Sequence, residues 1–121
     1  YKGYLVILEN FLDSYANQNS LRQMIGLPPR TPDRYNKFLS ESDLESFVTE
    51  QLGMELVYVD NFGSLHDLLL YVLLPHSYDG KIVYNHPMME GVTELLEKLP
   101  EGLRNNLGNF GQNKLYVFRE H

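Results

Sequence analysis

Dense apolar runs separated by polar breaks set the organisation of this chain. Tyr4-Leu5-Val6-Ile7-Leu8 is continuous, the pattern of a strand buried on both faces in a parallel sheet, and it ends in Glu9-Asn10. Residues 13–25 read as a helix that starts late, around Asn17 to Ser20, with Leu21, Met24 and Ile25 as its apolar stripe. Gly26 serves as its stop, and Pro28-Pro29 prevents continuation. The proline-rich stretch from Leu27 to Asn36 is an irregular loop. Ser42-x-x-Glu45 has the form of a capping box, in which serine hydroxyl and glutamate carboxylate satisfy each other's orphan amides. Leu44, Phe47, Val48 and Leu52 follow at helical spacing, and Gly53 ends that helix.

Met54 to Val59, rich in β-branched and aromatic side chains, predicts a second strand. It breaks at Asn61-Phe62-Gly63 into a very apolar helix, Ser64 to Leu74, with Ser64-x-x-Asp67 as a second box and Pro75 as its stop. A polar turn around Asp79-Gly80 follows. Pro87 then opens a helix whose apolar face is Met88, Val92, Leu95, Leu96 and Leu99, and Pro100 ends it. Glu101 to Asn113 is a loop leading to a last strand, Leu115 to Phe118. Three strands and four helices give an α/β fold, with 1–121 a single domain or part of one, since no repeat or interdomain linker is visible.

Composition narrows the function classes. The 121 residues suffice to bury roughly two thirds of the unfolded surface. Their 43% hydrophobic and 21% charged content is that of a globular protein. A net charge of −6 with no basic cluster argues against a nucleic-acid surface. The absence of cysteine removes disulfides, thiolate metal sites and cysteine nucleophiles, and fits a reducing, cytoplasmic setting. No apolar run approaches the roughly 20 residues that span a bilayer, so no membrane partner is expected. The chain opens on Tyr1 and is in a strand by Tyr4, which suggests a piece of a longer protein.

Polar groups gather at the break between the second strand and its helix. Asp60, Asn61, Ser64, His66 and Asp67 lie where open α/β sheets usually bind ligands, at the carboxyl ends of strands. His66 with Asp67 is the sharpest pair, a candidate general base on an acceptor hydroxyl. The structural alternative is that Asp67 caps the helix and His66 is a satisfied, partly buried side chain. Asn61 and Ser64 are candidate substrate-binding groups beside them. Glu9 and Asn10, ending the first strand, would shape the same pocket. Arg30, Arg34, Tyr35 and Asn36 could hold an anionic or sugar acceptor through planar, fork-like hydrogen bonds, or could form a solvated loop with Tyr35 turned inward. His66, His76 and His86 recur every ten residues, which is no metal-ligand spacing, so no metal site is expected.

Several short motifs resemble a known family. Lys2-Gly3-Tyr4-Leu5-Val6-Ile7-Leu8-Glu9-Asn10 resembles the fifth strand of class I S-adenosylmethionine-dependent methyltransferases, although only Gly3 matches the usual Pro-Gly-Gly turn. Ile25-Gly26-Leu27-Pro28-Pro29, Tyr35-Asn36-Lys37-Phe38-Leu39, Asn61-Phe62-Gly63-Ser64 and Tyr84-Asn85-His86-Pro87 with Leu99-Pro100 are similar in order and spacing to the C-terminal halves of some bacterial methyltransferases, often associated with glycan modification. The resemblance implies the second half of a Rossmann-like sheet. Tyr4 to Leu8 would be its fifth strand, Met54 to Val59 its sixth, and Leu115 to Phe118 an antiparallel seventh slotted between them. It implies transfer of a methyl group from S-adenosylmethionine to a small molecule or sugar, by alignment and desolvation. The family's glycine-rich cofactor loop and its acidic partner are not found, and Gly108-x-x-Gly111 precedes a strand instead of opening a helix. The cofactor site is therefore expected in a missing N-terminal half, and the fragment alone is expected to be inactive. Two other readings compete: a non-catalytic α/β interaction module that buries the Leu68 to Leu74 helix against a partner or, as a homodimer, a second copy, with the side of Tyr4 to Leu8 as an unprotected edge that invites pairing, and a hydrolase built on His66 and Asp67, which lacks a serine elbow or metal motif.

Overall fold

The computed structural model describes residues 3–31 and 38–121. Its centre is a three-stranded sheet: β1 (Tyr4–Asn10), β2 (Met54–Asp60) and β3 (Asn113–Glu120), in the order β1-β3-β2. The last strand lies in the middle and runs antiparallel to both neighbours, so β1 and β2 point the same way. This is the strand order and direction that the resemblance implies. The start of β3 thus lies beside the carboxyl ends of β1 and β2, with Asn10 opposite Asn113 and Asp60 opposite Leu115.

One face of the sheet is well covered. Phe11, Val48, Tyr116 and Phe118 are buried together, with Leu5, Ile7, Leu44, Met54, Leu56 and Val59 packed around them. The covering helix is α2 (Glu41–Ser46), which continues as a π-helical turn, Phe47–Gln51, until Gly53 at φ +66° ends it. A buried polar knot fastens it to β3: Lys114, 1% exposed, pairs with Glu41, which also accepts from Tyr116 Oη at 2.7 Å and from Asn109 Nδ2 at 2.9 Å.

The other face of β1, and its outer edge from Tyr4 to Leu8, are open among the described residues. Tyr4, Val6 and Leu8 are 65%, 60% and 59% exposed, so the apolar run is not buried on both faces as its composition suggested. Gly3 C=O accepts from Glu120 N and Phe11 N donates to Gln112 O, so the odd-numbered residues turn their backbone groups towards β3 and the even-numbered ones away. On that outer edge Asn10 C=O accepts from Leu39 N at 2.9 Å, within a short parallel bridge between Phe11 and Leu39. Tyr4, Val6 and Leu8 have no backbone partner there among the described residues.

The helices depart from the sequence pattern in instructive ways. Helix α1 (Leu12–Met24) starts directly after β1, and its buried residues are Ser14, Tyr15, Gln18 and Arg22, whereas Met24 is 77% exposed. The expected late start and apolar stripe of Leu21, Met24 and Ile25 are therefore wrong, because this helix docks through hydrogen bonds. Its end is as expected, with Gly26 at φ +80° and Leu27 N donating to Arg22 O at 2.8 Å. The N-cap of α2 is Ser40, whose hydroxyl accepts from Asp43 N, not Ser42. Ser64 does not cap either. Gly63 holds the N-cap position of α3 (Ser64–Leu68), and the Ser64 hydroxyl is bonded elsewhere.

Pro75 does not stop its helix. The run passes from α3 through a π-helical turn, Leu69–Leu73, into α4 (Leu74–Ser77). A proline lacks an N–H, so this stretch is one donor short for its carbonyls. Arg22 makes good the deficit: its Nη1 donates to Tyr71 O at 2.6 Å, and its Nε to Pro28 O at 2.9 Å. Helix α5 (Met88–Lys98) buries Met89 and Val92, not Met88 and Leu95, so its apolar face is rotated by about one position. Leu70, Leu74 and Met89 form a second small core. The loop expected from residue 101 onward holds a short helix, α6 (Glu101–Arg104), tied to the end of β2 by the ion pair of Arg104 with Asp60. No helix among the described residues is long and apolar enough to cross a membrane.

Candidate functional site

Residues 107–112, between α6 and β3, organise the carboxyl end of the sheet. Three helices fasten this segment. From α1, Ser14 Oγ donates to Asn109 Oδ1 at 2.6 Å, Asn17 Nδ2 to Asn109 O, and Gln18 Nε2 to Phe110 O. From α3, Ser64 Oγ lies 2.8 Å from Gly108 O and accepts from Phe110 N. Asp67 Oδ2 accepts from Gln112 N at 2.8 Å. From α2, Glu41 holds the Asn109 amide. Small residues allow the close approach: a Cβ on Gly111 would stand 2.7 Å from Gly63 C and 2.8 Å from Ser64 N.

The ordered segment borders a cleft of about 370 Å³, lined by Phe62, Gly63, His66, Asp67, Tyr71, Leu96, Gln112 and Asn113. This lies at the carboxyl ends of the two parallel strands, where α/β sheets generally bind ligands. His66 is shared with a second hollow of about 350 Å³, between α3 and the start of α5, which includes Tyr84, Asn85 and His86. A somewhat larger hollow of about 420 Å³ runs along α1 between Ala16, Asn19, Ser20, Gln23 and Pro29, but its lining carries no titratable side chain.

Within the cleft, His66 Nδ1 sits 2.9 Å from Asp67 Oδ1, with the imidazole 41% exposed and the carboxylate 13%. An ionised carboxylate only accepts, so Nδ1 carries the hydrogen and Nε2 is left as the site that gains or loses a proton. The Asp67 hydrogen bond raises the His66 pKa, outweighing burial, which lowers it. Asp67 is fixed in turn by the Gln112 amide. Tyr71 is pushed up to about 12, by burial first and by the Asp67 charge second, so it stays a neutral phenol. Arg30 closes the back of this wall. Its guanidinium stacks 3.6 Å from the Tyr71 ring centre, and Nη1 donates to Gln18 Oε1 at 2.8 Å and Gln112 Oε1 at 2.6 Å.

The residues singled out from sequence are only partly brought together. His66 and Asp67 meet and line the cleft. Arg30 stands behind it, acting through Tyr71 and Gln112. Asn10 is half-buried and paired across the sheet with Asn113, a lining residue, while Glu9 is exposed at the end of β1. Ser64 is fully buried and its hydroxyl is occupied by residues 107–110. Asn61 lines neither hollow: its N–H donates to Asn105 Oδ1 at 2.7 Å, and its side-chain oxygen is buried without a partner among the described residues. Arg34, Tyr35 and Asn36 lie outside the described residues. Sequence reasoning missed Tyr71, Gln112 and Asn113. An antiparallel last strand between the other two necessarily starts at their carboxyl ends, so the signal for Gln112 and Asn113 was present in the expected strand order. Among the described residues, no group of three or more His, Asp or Glu side chains could hold a metal ion.

Comparison of the chain with known protein families, with curated proteins and with solved structures gave no match.

Proposed function

We propose that the chain is the acceptor-side, C-terminal part of an S-adenosylmethionine-dependent methyltransferase that acts on a small molecule or sugar in the cytoplasm. The observation that carries the reading is the sheet itself. Two parallel strands flank an antiparallel last strand, and a cleft opens at the carboxyl ends of the pair. The resemblance implies this order from short motifs. The bare outer edge of β1 adds support, because a sheet that continued beyond β1 would cover it.

Among the described residues, the glycine pair at 108 and 111 does not form a cradle for the methyl donor. The Phe110 ring packs against Gly108, leaving a Cβ there only 2.6 Å from a ring carbon, and Gly111 faces the backbone of Gly63 and Ser64. In this reading the donor belongs to a preceding segment, and the chain supplies acceptor chemistry. His66 Nε2 takes the proton of an acceptor hydroxyl, Asp67 holds the ring in the required tautomer, and Phe62, Tyr71 and Leu96 wall the acceptor in. Positioning carries much of such a reaction, so His66→Ala in the full-length protein should lower the rate about 10²–10⁴-fold without abolishing cofactor binding. The assay is transfer of a labelled methyl group, and an unchanged rate would remove His66 from the mechanism.

A second reading, an interaction module that pairs through β1, is favoured by the same bare edge and apolar face. The two readings differ in what covers β1: more of the same sheet, or another molecule.

A further inference from the structure

The wall behind His66 has a feature that a general acceptor pocket would not need. Arg30 Nη1 donates to two amide oxygens, Gln18 Oε1 and Gln112 Oε1. A guanidinium has no acceptor, so the atom facing it must be oxygen in both amides, and their orientations are locked. Gln18 then uses its amide nitrogen on Phe110 O at 2.5 Å. Gln112 does not. Its Nε2 makes no hydrogen bond among the described residues, while Gln112 itself lines the cleft beside His66, Asp67 and Asn113.

The remaining walls fix the chemistry that this donor would meet. Phe62, Leu96 and the Tyr71 ring give apolar surface, and the polar side-chain groups are the Tyr71 phenol, the amides of Gln112 and Asn113 and the His66–Asp67 pair. The Arg30 charge is stacked on Tyr71 and engaged by two amides, and the Asp67 carboxylate stands in the lining. Among the described residues no Arg or Lys lines the cleft, so an anionic ligand would meet the Asp67 carboxylate and no permanent cation. A volume of about 370 Å³ is at the small end of ligand pockets, suited to one ring.

We infer that the cleft selects a neutral, hydroxyl-bearing ring, and that Gln112, oriented by Arg30, is the residue that donates to the hydroxyl oxygen and turns that hydroxyl's own hydrogen towards His66. Arg30 is a positioning residue in this arrangement, not an anion receptor. The inference deepens the acceptor role proposed above and rests on it for the catalytic meaning of the site, but the binding can be read without any methyl transfer.

The test titrates the ¹⁵N-labelled chain with methyl α-D-glucopyranoside and, separately, with D-glucuronate. The neutral probe should bind saturably and shift the Gln112 side-chain amide resonance, and glucuronate should bind less tightly. Gln112→Glu keeps an acceptor for Arg30 and so should retain the melting temperature, but it replaces the donor with an oxygen. Its affinity for the neutral probe should fall about tenfold, the worth of one lost hydrogen bond. Equal affinity in the variant, tighter binding of glucuronate, or no saturable binding of either probe would each overturn the inference. Failure of the full-length protein to bind the methyl donor would leave this result intact while removing the methyltransferase reading.

Discussion

His66 concentrates the chemistry of the site in one side chain. Its pKa is raised because the Asp67 hydrogen bond stabilises the imidazolium more than burial opposes it. A raised folded value means that the stabilisation is fully present below the unfolded pKa of about 6.5 and is lost as pH rises through the folded pKa. The same shift delays the free Nε2 lone pair, so any activity that uses His66 as a base should climb on the alkaline side of about 6.5. Proton NMR titration of the imidazole should give a midpoint above that value. Asp67→Asn should bring the midpoint below it, since only burial would remain. A midpoint unmoved by the substitution would show that Asp67 does not govern the ring. The pair was legible in the sequence as adjacent polar residues after a strand. The fixing of Asp67 by the Gln112 amide was not, because it joins residues 45 positions apart.

At the scale of elements, local signals succeeded where the backbone itself set the rule. Gly26 and Gly53, both at positive φ, end their helices as the pattern suggested. They failed where tertiary contacts overrode them. The polar buried side of α1 hydrogen-bonds residues 109 and 110, a partner that periodicity within the helix cannot show. Pro75 has the local form of a stop, but Arg22, from another helix, satisfies the carbonyl that makes its passage possible. The close packing of residues 107–112 onto α3 also escapes the pattern, and it yields a paired expectation. Gly111→Ala forces a Cβ into the Gly63–Ser64 backbone, which cannot give way as a flexible side chain would. It should cost about 1–3 kcal/mol or more and displace the cleft wall. Gly102→Ala, in α6, meets nothing within 4 Å and should be neutral to about 1 kcal/mol stabilising. Urea denaturation of the two variants checks this, and similar losses in both would argue against a tight contact peculiar to Gly111.

For the whole molecule, the sheet order was legible through a resemblance, whereas the exposure of one face of β1 was not, because the apolar run suggested burial on both faces. A strand of five consecutive apolar residues reads as doubly buried, yet Tyr4, Val6 and Leu8 stand in solvent. The contradiction is resolved if something else covers them. The isolated chain should therefore self-associate, with sedimentation coefficients that rise with concentration. Val6→Lys, on a side chain already 60% exposed, should abolish the association while leaving the melting temperature within a few degrees. A strictly monomeric wild-type chain would remove the interaction-module reading. The central claim, that this sheet belongs to a methyltransferase, is tested most directly by calorimetric titration of the full-length protein with S-adenosylhomocysteine. Saturable heat at one site per molecule, absent from the 121-residue chain alone, is the expected result. No heat from the full-length protein would contradict it.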